Sequence, residues 1–129
     1  MDYIDTNTFI YWFTKDKAWG EKAMNIIKNI EAGEKAVTSA LTVAQCHWIL
    51  RKFKKDYRYD VMLSYLTTLR NLAIVPLTQD ELVKADEASK RFNIELEDAI
   101  HYVTATACGC STILSNDKDF DNTDLERKF

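Results

Sequence analysis

Apolar positions along the chain follow two spacings, one typical of helices and one typical of short buried strands. A helical stripe with the i, i+3, i+4, i+7 spacing is formed by Ala23, Ile26, Ile27 and Ile30, and Gly33 is placed to end that helix. The same reasoning predicts helices over residues 6–13, 41–52, 59–69, 80–92 and 96–108. Short apolar runs at residues 3–4, 35–38, 73–75 and 112–114 predict four strands between them.

Strands that alternate with helices favour an α/β fold with a mostly parallel central sheet of about four strands flanked by helices. No internal repeat or linker divides the chain, so residues 1–129 are expected to form one domain. In such sheets, ligands bind beyond the carboxyl ends of the strands. The residues that follow the predicted strands are therefore the first candidates for a functional site.

The composition is that of a compact globular protein, with 47% hydrophobic residues, 3 glycines and 1 proline. The net charge of −3 gives no overall positive field to attract nucleic acid. It does not exclude a nucleic-acid enzyme, because a metal-binding site is itself acidic. The charge alone leaves both classes open.

Three cysteines, Cys46, Cys108 and Cys110, lack the spacing of a disulfide scaffold. No apolar run is long enough to span a membrane, and Asp2 and Asp5 fall where a signal segment would begin. We therefore expect a cytoplasmic protein without a membrane partner.

Carboxylates lie at the predicted carboxyl ends of two strands. Asp5 follows the first strand, Asp117 follows the fourth, and Asp98 lies in the first turn of the last helix. Each has an ordinary structural alternative, since Asp5 could cap a helix, Asp98 could complement the helix dipole and Asp117 could shape a turn. Their shared position at one rim of the sheet favours a site. Carboxylates that converge without histidine or thiolate favour Mg²⁺ or Mn²⁺.

Four segments in order resemble the successive motifs of PIN-domain ribonucleases, especially the small VapC-type toxins of toxin–antitoxin pairs: YIDTNTFIYW, TSALTVAQ, LEDAIHYVTATA and ILSNDKDF. The resemblance covers residues 2–120 and implies a three-layer sandwich around the sheet. It implies that Asp5, Asp98 and Asp117 are catalytic and bind the metal. Asp119 would support them as a further ligand, and Asn116 would help to position metal or phosphate. It also implies a homodimer and an antitoxin partner.

The chain departs from the family pattern in two places. Gln45 stands where the family usually has glutamate, and the chain stops at LERKF, where the family generally continues into another strand. At an effective dielectric constant of about 20, unit charges about 4 Å apart interact by roughly 4 kcal/mol. An amide at position 45 therefore predicts weaker metal binding, and either slow catalysis or none.

The segment RKFKKDYRY combines basic and aromatic residues. Its basic residues, the candidates for RNA binding, are Arg51, Lys52, Lys54, Lys55 and Arg58. They could follow the backbone of single-stranded or structured RNA while the aromatic rings stack on bases. The alternative is a solvated helix end and turn.

Two functions of different classes follow. The first is a toxin-like, metal-dependent ribonuclease that hydrolyses a phosphodiester with metal-activated water. The second is a PIN-like module that binds RNA or a protein partner with weakened or no catalysis, because Gln45 has replaced the glutamate.

Overall fold

The computed structural model describes residues 1–129 and contains a five-stranded sheet in which every neighbouring pair is parallel. The spatial order is β3-β2-β1-β4-β5. The strands are β1 (Asp2–Ile4), β2 (Ala36–Ser39), β3 (Leu72–Val75), β4 (Thr112–Leu114) and β5 (Glu126–Lys128). The central position of β1 places the residue that follows it in the middle of one sheet rim.

Six α-helices cover the two faces of the sheet. They are α1 (Thr6–Thr14), α2 (Gly20–Glu31), α3 (Ala40–Phe53), α4 (Tyr59–Thr67), α5 (Gln79–Phe92) and α6 (Leu96–Ala107). A short 3₁₀ helix (Lys118–Asn122) lies between β4 and β5. Side-chain caps start three of the helices, because Asp5, Ser39 and Thr78 accept backbone N–H groups of α1, α3 and α5.

Two hydrophobic clusters lie on opposite sides of the sheet. Tyr3 belongs to the cluster that contains residues of α5 and α6, whereas Ile4 belongs to the cluster that contains residues of α1 to α4. Successive residues of a strand point to opposite faces, so this three-residue strand contributes to both clusters. Both side chains have no exposed surface, and they hold the strand that ends at Asp5.

The predicted α/β architecture and the order of its helices and strands are confirmed, with bounds shifted by a few residues. The expectation that the chain stops before a further strand was wrong, because Glu126–Lys128 pair in parallel with β4 as a fifth strand. Leu69, predicted as the last position of a helical stripe, lies beyond the end of α4 yet is buried. None of the helices is both long and apolar enough to cross a lipid bilayer.

Candidate metal centre

Three carboxylates converge at the sheet rim where β1 and β4 end. Oxygen atoms of Asp98, Asp117 and Asp119 all lie within 4.8 Å of one another. Asp98 lies in the first turn of α6, and Asp117 caps the 3₁₀ helix by accepting the N–H of Asp119 at 2.9 Å. The sequence predicted all three as ligands, and the fold brings them together.

The environment of Asp98 disfavours its charged form. Burial is the largest cause, followed by the negative charges of Asp117, Asp5, Asp119 and Glu95, and together they raise the pKa of Asp98 to about 7. No positive side chain offsets these effects at Asp98. Its ligand atoms are carboxylate oxygens, which a hard divalent cation such as Mg²⁺ or Mn²⁺ prefers.

Asp5 lies beside this group rather than within it. Asp5 is 5% exposed, and its carboxylate accepts hydrogen bonds from the Thr6 N–H at 2.8 Å and from the Ser115 hydroxyl at 2.6 Å. It therefore caps α1, which was one of the two roles expected for it. Its charge still contributes to the raised pKa of Asp98, and its role as a metal ligand stays a prediction.

Ser115 was not singled out in the sequence, although it connects two of the predicted ligands. Besides donating to Asp5, its hydroxyl oxygen accepts the backbone N–H of Asp117 at 3.0 Å. Arg127 of β5 donates to the carbonyl of Ser115 at 3.2 Å and forms a two-pronged ion pair with Asp121 at 2.9 and 3.1 Å. The fifth strand thus holds the turn that carries Asp117.

The side chain of Gln45 joins a buried polar network. Its Oε1 accepts the Thr6 hydroxyl at 2.6 Å and lies 2.8 Å from Nε2 of His101, one turn along α6 from Asp98. The other ring nitrogen of His101, Nδ1, lies 2.6 Å from the hydroxyl of Tyr3. Burial lowers the pKa of His101, which favours the neutral imidazole. Only one signal in the sequence points to this histidine, its position three residues after Asp98 on the same helical face.

The other predicted site residues belong neither to the carboxylate group nor to the hydrogen-bond network of Gln45. Asn116 donates from its side-chain amide to the hydroxyl of Tyr11 at 3.3 Å. The basic residues are exposed at the end of α3 and in the loop before α4, and Arg58 pairs with Asp60 at 2.7 Å. Arg51, Lys52, Lys54 and Lys55 are the remaining members of this set. Their exposure agrees with both expectations, a solvated turn and an RNA-binding surface.

Comparison with known proteins identifies the fold. The family model of the PIN domain matches residues 3–126 of the chain. This chain belongs to the PIN-domain family. The ribonuclease VapC1 of Aquifex aeolicus is 30% identical over 128 residues, covering 96% of this chain and 86% of that protein. The resemblance deduced from the four segments is therefore confirmed.

Solved structures agree with the PIN fold over nearly the whole chain. The crystal structure of VapC20 from Mycobacterium tuberculosis, a sarcin–ricin loop cleaving toxin, superposes with a TM-score of 0.77 at 15% identity, covering 94% of this chain and 93% of that one. The structure of VapBC2 from Rickettsia felis, bound to a DNA fragment from its promoter, gives a TM-score of 0.73 at 18% identity and covers 99% and 98% of the two chains. At these identities the likeness concerns the fold.

Proposed function

We propose that this chain is a toxin-like endoribonuclease that depends on Mg²⁺ or Mn²⁺. The observation that carries the proposal is the group of Asp98, Asp117 and Asp119, whose oxygens all lie within 4.8 Å of one another. The 30% identity to a VapC ribonuclease over most of the chain supports the reaction class.

In this proposal, the chain's own residues bind the metal and hold the site in shape. Asp98, Asp117 and Asp119 provide the ligand oxygens, with Asp5 beside them. Asp98 would release its proton on metal binding, because its raised pKa of about 7 leaves it partly protonated near neutral pH. A divalent ion held by these carboxylates would supply Lewis-acid chemistry and would make a bound water more acidic for hydrolysis of a phosphodiester.

The proposed substrate is RNA in single-stranded or structured form. The exposed basic residues at the end of α3 provide phosphate contacts, and Phe53, 76% exposed, and Tyr59, 46% exposed, offer surfaces for base stacking. We further propose a homodimer and an antitoxin that covers the acidic site. Toxin–antitoxin complexes among the structural neighbours, including VapBC2 of Rickettsia felis, support the partner class.

A second candidate function is a PIN module that binds RNA or a protein without cleaving. The amide of Gln45 at the family's usual glutamate position favours it, because one negative charge is missing beside the proposed metal. The two functions differ in whether RNA that is bound is also cut.

Cleavage of a fluorogenic single-stranded RNA in Mn²⁺ tests the proposal, with Asp98→Asn as the control for contaminating nucleases. We expect cleavage by the wild-type chain that is lost with EDTA and lost in Asp98→Asn. Equal cleavage by both proteins would indicate a contaminant and refute the proposal. RNA binding without cleavage, followed by cleavage in Gln45→Glu, would support the binding module.

A further inference from the structure

One terminal atom of the Gln45 amide faces the buried hydrogen-bond network, where it has two polar neighbours. The Thr6 hydroxyl lies 2.6 Å from it and His101 Nε2 lies 2.8 Å from it. The identity of that amide atom therefore depends on which imidazole nitrogen bears the hydrogen. An Nε2–H requires the amide oxygen to face inward, whereas a bare Nε2 requires the amide nitrogen there.

The carboxylate of Asp5 decides between these arrangements. Its Oδ1 lies 3.7 Å from Nε2 of His101, and both side chains are nearly inaccessible to solvent. A negative charge at this distance in a buried environment favours a hydrogen on Nε2 over a lone pair there. Nδ1 is then the acceptor, and the Tyr3 hydroxyl, 2.6 Å away, is its donor.

With its oxygen directed inward, Gln45 directs its NH₂ group outward. That NH₂ makes no hydrogen bond within the chain, and it reaches solvent because no buried side-chain polar atom lacks a partner. A glutamate at this position would present an oxygen that accepts hydrogen bonds and binds cations. Gln45 presents a hydrogen-bond donor, which has no affinity for a cation and suits an anionic oxygen.

We propose that Gln45 is a substrate-binding residue, whose NH₂ donates a hydrogen bond to a phosphate oxygen of RNA and whose amide does not ligate the metal. Thr6, His101 and Tyr3 are positioning residues that set the orientation of that amide. The inference rests on the proposed function for its substrate, RNA. Under this inference, Gln45 contributes a contact to the RNA phosphate instead of a ligand to the metal.

The first test is the tautomer of His101, read from the ¹⁵N chemical shifts of its ring nitrogens in the metal-free protein. The chain has 2 histidines, so His47→Gln assigns the signals. We expect hydrogen on Nε2 in the wild-type chain. Hydrogen on Nδ1 would place the amide nitrogen inward and would overturn the proposal, because Gln45 would then present its oxygen to the site.

The second test uses Gln45→Glu, which keeps an inward oxygen for both partners and replaces the outward NH₂ with an oxygen that carries negative charge. Gln79→Glu, at the exposed start of α5, is the control for the change in charge. Affinity for a labelled single-stranded RNA is measured by fluorescence anisotropy in EDTA, where metal-dependent cleavage does not proceed. We expect Gln45→Glu to weaken binding roughly tenfold or more, since a hydrogen bond to a charged group is removed.

Affinities of Gln45→Glu and Gln79→Glu that agree within about twofold would refute the phosphate contact. The two tests also separate this inference from the proposed function. Metal-dependent RNA cleavage together with an Nδ1–H tautomer would leave the nuclease intact and remove the role of Gln45. An Nε2–H tautomer in a chain that neither binds nor cleaves RNA would leave the orientation intact, and the phosphate contact would fall with the function.

Discussion

Replacement of Asp98 by asparagine should stabilise the metal-free protein while abolishing its response to metal. The side chain keeps its size, but the negative charge that opposes Asp117, Asp119 and Asp5 is removed. Sites that concentrate like charge for function do so at a cost in stability, and removal of one charge relieves that cost.

The magnitude follows from the pKa of Asp98, which is raised from 3.8 to about 7 in the folded chain. At 1.36 kcal/mol per pKa unit, such a shift corresponds to at most about 4 kcal/mol. Asp98 is half-buried, and screening by solvent reduces this to about 1–2 kcal/mol. Because the folded pKa is the higher one, the contribution of Asp98 to stability is complete below pH 3.8 and is lost as the pH rises through about 7.

Urea denaturation in EDTA at about pH 5 and about pH 8 measures this difference. We expect Asp98→Asn to exceed the wild-type chain in free energy of unfolding, by more at the higher pH than at the lower. Addition of Mn²⁺ should then stabilise the wild-type chain by mass action and leave the variant nearly unchanged. A variant that is less stable than the wild-type chain at about pH 8, or a difference that does not grow with pH, would refute the electrostatic account.

Three further predictions concern the same rim and the basic surface. Mn²⁺ affinity should rise about tenfold per pH unit up to about pH 7, because metal binding displaces the Asp98 proton. Calorimetry in buffers of different ionisation enthalpy detects that proton. A binding enthalpy that does not depend on the buffer would contradict the prediction. Ser115→Ala should lower the free energy of unfolding by roughly 1–3 kcal/mol, since a buried carboxylate oxygen and a backbone N–H lose their partner; exposed Ser111→Ala is the matched control, and equal effects would contradict it. Neutralising Lys52, Lys54 and Lys55 should weaken RNA binding. It should also reduce the slope of log K against log salt by about 0.7 for each lysine that binds a phosphate. An unchanged slope would show that this surface does not bind RNA.

The grouping of Asp98, Asp117 and Asp119 could be predicted from the sequence because it does not depend on the order of the strands in the sheet. Asp117 and Asp98 follow from two facts, that parallel strands end at one rim and that a helix places its first turn there. Asp119 is two residues from Asp117, so local geometry carries it into the group.

The hydrogen-bond network and the last strand are less accessible to sequence reasoning. Tyr3 and His101 meet across 98 positions of the chain, and only the packing of α6 on this face of the sheet brings them together. The strand Glu126–Lys128 consists of charged residues and carries no apolar run, so hydrophobic patterning does not detect it. Charged residues are common on edge strands, because they oppose pairing with other chains.

The fold shows Asp5 as the cap of α1, and this role is compatible with the metal-ligand role that stays a prediction. An ionised carboxylate has about four sites that accept hydrogen bonds or cations. Thr6 uses one site on Oδ1 and Ser115 uses one on Oδ2, so each oxygen keeps a further lone pair. One donor is the backbone N–H of Thr6 at the start of α1, and the other is the hydroxyl of Ser115 directly after β4. These two hydrogen bonds fix the orientation of the carboxylate without a bound ion. The hydrogen bonds by which Asp5 caps α1 therefore leave its carboxylate oriented and able to accept the proposed metal as a ligand.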